Sequence, residues 1–201
     1  MKALLCNNIF NDVILKYHEK DDINFKYPNP FNAKTLEYLL FEKCWIDTVQ
    51  WHLEDLVRKP NLNPKVGLEI KKRIDTLNQN RTDIVEKIDD YYFNFFKTIK
   101  TQNNKINTES PGWVVDRMSI LCLKIYHMNE QTLRGNVSED HIENCNRKLI
   151  VLNTQQKDLN NAFDELLQDY KNGIKIIKVY RQMKMYNDSS LNPELYQKND
   201  L

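Results

Sequence analysis

An all-α fold, a single bundle of five to six helices with a long central helix and an irregular C-terminal tail, follows from three observations. Only 4 glycines occur in 201 residues, whereas β-rich and doubly wound folds spend glycine freely on turns and phosphate loops. Apolar residues recur in alternating steps of four and three along two long stretches, the signature of a helix packing along one seam. Prolines and capping residues, finally, fall between the periodic segments and not inside them. At 201 residues the chain is long enough for one domain with a real core, so residues 1–201 are read as one unit.

The first helix is expected over about Asn7 to Lys20, where Ile9, Phe10, Val13, Ile14 and Tyr17 share a face and His18 lies beside it. Tyr27-Pro28-Asn29-Pro30-Phe31-Asn32 follows as a linker, because two prolines forbid a continuous helix. The second helix, 34–58, is expected to be central and ends at Lys59-Pro60. At about 100° per residue it places Lys43, Asp47, Gln50 and Glu54 on one polar stripe. Apolar walls flank that stripe, with Ile46 and Val57 on one side and Leu40 and Trp51 on the other.

The third helix, about Lys65 to Lys100, carries the seam Ile70, Ile74, Leu77, Arg81, Ile84, Ile88, Tyr91, Phe95 and Ile99, in which Arg81 occupies an apolar position. The fourth opens at Thr108-Glu109-Ser110-Pro111, a hydroxyl cap followed by a first-turn proline, and runs to about Met128. Its apolar face leaves Asp116, Arg117, Lys124 and His127 on the opposite arc. The fifth runs from about Val137-Ser138 to a left-handed cap at Asn172-Gly173, and Gln156 breaks its seam. The stretch after Gly173 opens as a strand or a sixth helix, and a short helix is the expectation. Residues 189–201 are expected to be an irregular tail wrapping the bundle's surface.

A net charge of +1, from 29 basic and 28 acidic residues, supplies no excess to drive nucleic-acid or membrane-surface binding. Cys6, Cys44, Cys122 and Cys145 are scattered, without a C-x-x-C pair. Reduced, buried thiols and a cytoplasmic location are therefore expected. The first ten residues hold too short an apolar run for a signal-peptide core, and no later run approaches membrane-spanning length.

The polar groups at apolar positions are the candidate site. A buried arginine needs carboxylate partners, because an unpaired interior charge costs several kcal/mol, and Asp47 and Glu54 are the nearest by pattern. One reading is a pocket between the second, third and fifth helices in which Arg81, Gln50, Gln156 and Trp51 bind a small anionic ligand, with Asp47, Glu54, His52 or His127 as acid–base candidates. The other is a structural ion-pair network, or intrahelical pairs such as Lys43 with Asp47 and Glu54 with Arg58. No metal and no cofactor is expected. No histidine follows a glutamate by three residues, as a carboxylate-bridged metal centre in a bundle requires, and His52, between Phe41 and Trp45, reads as a packed, hydrogen-bonded core residue. Asp83, Glu86 and Asp89 have the spacing of a magnesium-binding acidic face but read as solvated. Neither a G-x-S-x-G elbow nor a glycine-rich phosphate loop occurs.

LEYLLFEKCWIDTVQWHLEDLVRKP at 36–60, IKKRIDTLNQNRTDIVEKIDDYY at 70–92, INTESPGWVVDRMSILCLKIYHM at 106–128 and YRQMKMYND at 180–188 together resemble the bacterial family DUF4254, domain of unknown function 4254. The resemblance spans nearly the whole chain and implies a small, mostly helical cytosolic bacterial protein in a context of cell-surface polysaccharide synthesis. It carries over no catalytic residue. Two function classes therefore stand: a module binding or acting on a small anionic ligand, a nucleotide or sugar phosphate, and a non-enzymatic helical adaptor or scaffold, as a homodimer or with a protein partner.

Overall fold

The computed structural model describes residues 2–102, 104–185 and 188–196. Five long helices make the bundle: α1 (Lys2–His18), α2 (Leu36–Val57), α3 (Pro64–Phe96), α4 (Pro111–Thr132) and α5 (Glu139–Lys171). A sixth, α6 (Pro193–Tyr196), is a single turn. No strand occurs among the described residues, and no helix there is long and apolar enough to cross a membrane.

The helix starts are local chemistry. The backbone N–H of Tyr38 donates to the Thr35 hydroxyl at 3.3 Å, that of Lys65 to Asn63 Oδ1 at 2.9 Å, and that of His141 to the Ser138 hydroxyl at 3.3 Å. Each satisfies an amide that the helix cannot. Two helices are capped from a distance. Asp164 of α5 accepts from the N–H groups of Lys2 and Ala3 at 2.8 and 3.1 Å, so α1 begins five residues before the periodicity alone suggests. Ser110, expected to cap α4 with its own hydroxyl, makes no such bond. Asp89 of α3 accepts from the Gly112 N–H and from the Ser110 hydroxyl, both at 2.6 Å, and holds the start of α4 in its place. A Cβ on Gly112 would stand 2.5 Å from the Val85 carbonyl and 2.8 Å from the Asp89 carboxylate. Only glycine lets α3 and α4 approach this closely.

The core runs the length of the bundle through Phe10, Val13, Tyr17, Leu40, Leu53, Ile88, Met118, Leu123 and Phe163, all under 2 % exposed. Alongside α2, which packs against α1, α3 and α4, it is α4 that packs against all four of the other long helices. Both flanks of α4 are consequently interior. The four cysteines are buried and free. Gly173 takes the left-handed conformation (φ 67°) and ends α5 as the Asn-Gly pair predicts.

The short helix expected after Gly173 does not form. Residues 174–185 form neither helix nor strand and lie against the bundle. The Gln102 N–H donates to the Gly173 carbonyl at 2.9 Å and the Ile176 N–H to the Lys105 carbonyl at 2.8 Å, tying the segment to the α3–α4 loop. Further along, Arg181 bonds Asp90 at 2.7 and 3.0 Å, and the Gln182 N–H bonds Glu86 at 2.8 Å. The acidic face of α3 is thus a landing strip for this strap. The wrapping segment is 174–185; of the tail expected at 189–201, residues 189–196 contain the α6 turn, and 197–201 lie outside the described residues.

Candidate functional site

Spacing of four residues stacks Lys43 and Asp47 on one face of α2, and the two side chains form an ion pair with no exposed surface on either. From α3, Arg81 reaches in. From α4, Asp116 and Ser119, three apart, complete the group. Arg81 Nε and Nη2 donate to the two Asp116 oxygens at 2.7 and 2.6 Å, a fork-on-fork contact. The Lys43 ammonium lies 3.0 Å from Asp116 Oδ1, and the Ser119 hydroxyl donates to Asp47 Oδ2 at 2.5 Å. Two cations therefore face two carboxylates, and the cluster is neutral when both are ionised.

The two carboxylates differ. Burial pushes Asp47 above the ordinary carboxylate range against the pull of the Lys43 ammonium, and Asp116 nearby pushes the same way. Burial would raise Asp116 also, but the Arg81 hydrogen bonds and the Lys43 charge outweigh it and hold that carboxyl below its usual value. A proton entering the cluster therefore goes to Asp47.

A cavity of about 270 Å³ opens beside this cluster, with Asp47, Gln50, Trp51 and Glu54 of α2, Arg81 of α3 and Ile120 of α4 in its walls and Asp55 and Arg58 also lining it. Two buried acceptors of its lining residues make no hydrogen bond, Asp47 Oδ1 and Gln50 Oε1. Arg81 Nε stands 3.6 Å from Asp47 Oδ1, an ion-pair distance that is too long for a hydrogen bond. Gln50 turns its amide nitrogen to Asn78 Oδ1 at 2.9 Å, which leaves its buried carbonyl oxygen without a donor.

On the far side of Trp51 is a second polar group. His18, the last residue of α1, His52 of α2 and His127 of α4 bring their rings together, with centroids 5.2 to 5.3 Å apart in all three pairs. Tyr17 stacks on His52 at 4.7 Å and Trp51 on His127 at 4.9 Å. Burial, and then the neighbouring imidazoles, press the His52 pKa below its ordinary value.

The sequence-predicted residues thus divide. Asp47, Arg81, Gln50 and Trp51 come together at the cavity. Glu54 lines the cavity too but pairs with Arg58 one turn on, the intrahelical alternative, and not with Arg81. Gln156 is absent from the site: the polar cluster joins α2, α3 and α4, while Gln156 on α5 donates to Cys122 Sγ at 3.4 Å. His52 and His127 belong to the imidazole cluster, and His52 Nε2 makes no hydrogen bond among the described residues, contrary to the packed, bonded residue expected. Sequence reasoning missed Asp116 as the partner of Arg81, because it lies opposite the apolar face of a helix that turns out to be covered on both sides. The Lys43–Asp47 pair, which the spacing permits at a helix surface, is instead interior.

A family model described as "Protein of unknown function (DUF4254)" matches residues 37–179. No curated protein and no solved structure matches the chain.

Proposed function

The chain belongs to the DUF4254 family, and from that premise we propose that it is a binding module whose α2–α3–α4 cavity takes a small hydroxyl-bearing anion, with a sugar phosphate as the best fit. The observation that carries this reading is the pair of buried acceptors, Asp47 Oδ1 and Gln50 Oε1, left without donors in residues lining one cavity. A buried acceptor without a partner costs about 1–3 kcal/mol, and hydroxyl donors of a ligand would relieve both. Arg81 Nη1, which makes no hydrogen bond among the described residues, supplies the donor for an anionic oxygen. The cavity's volume of about 270 Å³ is just below the usual range for ligand sites, which favours a sugar phosphate over a nucleotide. Arg81 already spends two donors on Asp116, and Glu54 and Asp55 add negative charge, so the anion is held by one edge of the guanidinium and the hydroxyls supply most of the specificity. Asp47, the group that takes up a proton first, is the residue positioned to act as a base.

The test is thermal denaturation with a panel of hexose phosphates, the parent hexoses and inorganic phosphate. A ligand at a hundredfold its Kd contributes about 2.7 kcal/mol, hence a rise of roughly 5–10 °C for a domain of this size. Gln50→Leu, which leaves the ion cluster intact, is expected to cancel that rise. A wild type that no panel member stabilises, or a Gln50→Leu variant that responds as the wild type does, would refute the reading.

The adaptor reading has an observation of its own. A groove of about 960 Å³ along α3, α4 and α5 is lined by Ile150 and Val151, each 66 % exposed, beside Ile120 and Leu121. Sedimentation of the wild type and of Val151→Glu tests the homodimeric form of this reading: a dimer that the substitution dissolves supports it, and a monomer in both removes it.

A further inference from the structure

We propose that His18, His52 and His127 form a three-histidine site for a zinc-class divalent transition metal, bound through their Nε2 atoms at the junction of α1, α2 and α4. This inference does not rest on the cavity reading. One ring nitrogen from each histidine lies within 4.8 Å of the other two. The hydrogen bonds leave Nε2 as the nitrogen each ring has free to ligate. His18 Nδ1 is 2.7 Å from the Ile14 carbonyl, which can only accept, so the proton sits on Nδ1 and Nε2 carries a bare lone pair. His127 Nδ1 is 2.7 Å from Glu130 Oε2 and is fixed in the same tautomer by that carboxylate. Nε2 of all three rings is buried and makes no hydrogen bond.

Core packing alone does not explain this. A packed histidine satisfies both nitrogens, because each buried polar atom left unpaired costs about 1–3 kcal/mol. Here three such atoms are gathered in one place, at least two of them lone pairs with nothing to accept. A cation between them reverses the sign of that interaction. The ring arrangement has the dimensions of a metal site as well. An ion about 2.0–2.1 Å from an imidazole nitrogen lies about 3.2 Å from the ring centre, and tetrahedral angles then set neighbouring ring centres about 5.2 Å apart. The observed separations are 5.2, 5.3 and 5.3 Å, with ring planes inclined at 65°, 67° and 76° like the blades of a propeller.

The surroundings fit. Metal-bound histidines donate their other N–H to a carboxylate or a backbone carbonyl, which orients the ring and raises its basicity, and Glu130 and Ile14 hold those positions. Stacking of Tyr17 on His52 and of Trp51 on His127 restricts ring rotation. An all-nitrogen, uncharged donor set selects zinc and its neighbours over calcium or magnesium, which want oxygen. Three neutral ligands also leave the ion its full charge and a fourth position open to water or a substrate oxygen. The expectation of no metal drawn from histidine spacing looked for pairs on one helix, whereas here each helix contributes one ligand.

The experiment uses the untagged full chain, stripped with a chelator and dialysed against Zn²⁺, with Co²⁺ as the spectroscopic probe. One ion per chain is expected, with the intense visible absorption of tetrahedral Co²⁺ and no thiolate charge-transfer band. His18→Asn and His127→Asn should each weaken binding at least a hundredfold. Glu130→Gln alters only a partly exposed side chain and serves if those variants do not fold; it should weaken binding about 10–100-fold. A stoichiometry well below one, a weak octahedral Co²⁺ spectrum, a thiolate band, or Glu130→Gln binding as tightly as the wild type would each overturn the proposal.

Discussion

Lys43 has no exposed side-chain surface and is a full charge in the middle of a bundle, held by Asp47 on its own helix and Asp116 on another. Removing one member of such a group strands the others without compensation, so Lys43→Met is expected to lower the unfolding free energy by about 3–5 kcal/mol, measurable by urea denaturation. The double variant Lys43→Met with Asp47→Leu should lose less than the sum of the two single variants, because the pair leaves together. Asp116 sets a pH dependence. Its folded-state pKa is held below the ordinary 3.8, so its ionised form contributes stability that is fully present above 3.8 and lost as the pH falls through the folded value. The melting temperature of the wild type should therefore drop more steeply below pH 3.8 than that of Asp116→Asn. At this scale Arg81 and Asp47 were legible, since each is polar at a position where the helical period demands an apolar residue or lies between apolar walls. Asp116 was not, because the arc it occupies resembles a solvated face until α5 and α3 are placed on either side. His18 and His127 were illegible as partners of His52 for a similar reason: their convergence is tertiary, with no local spacing to announce it.

Helix seams were read almost correctly along α3, and the error has a geometric cause. A strict four–three alternation advances about 3.5 residues per turn against the 3.6 of a straight helix, so the buried stripe drifts by about 20° per heptad. By the end of α3 it has moved one residue on: Phe96 is 7 % exposed and Phe95 64 %. The cap of α4 was placed correctly but attributed to the wrong residue. Asp89 satisfies the Gly112 N–H from another helix, so Asp89→Ala should cost about 1–2 kcal/mol and Ser110→Ala less, in the same denaturation experiment. After Gly173, Ile174, Ile176 and Ile177 fit the opening of a strand or of a sixth helix, and a short helix is the expectation. The segment's hydrogen bonds to the α3–α4 loop and to the acidic face of α3 won instead. Arg181→Ala should leave global melting nearly unchanged, since the pair is exposed, while proteolysis and amide exchange across 174–185 accelerate.

For the molecule as a whole, five long helices enclose one core, and α2 and α4 share its centre. The polar cluster, the cavity and the imidazoles all lie along the α2–α4 contact, with Trp51 between the cavity it lines and the histidine it stacks on. Fold class was fully readable from glycine scarcity and periodicity. The candidate site was half readable, because a single helix shows which polar residues are anomalous but not which of them meet. The cavity beside Arg81 is proposed to take a ligand that donates hydrogen bonds to Asp47 and Gln50. The most direct test is a crystal structure of the wild type grown with the hexose phosphate that stabilises it best. Ligand hydroxyls are expected within about 2.5–3.0 Å of Asp47 Oδ1 and Gln50 Oε1, with an anionic oxygen on Arg81 Nη1. A ligand seated elsewhere, with those two oxygens still unpaired, would contradict the proposal.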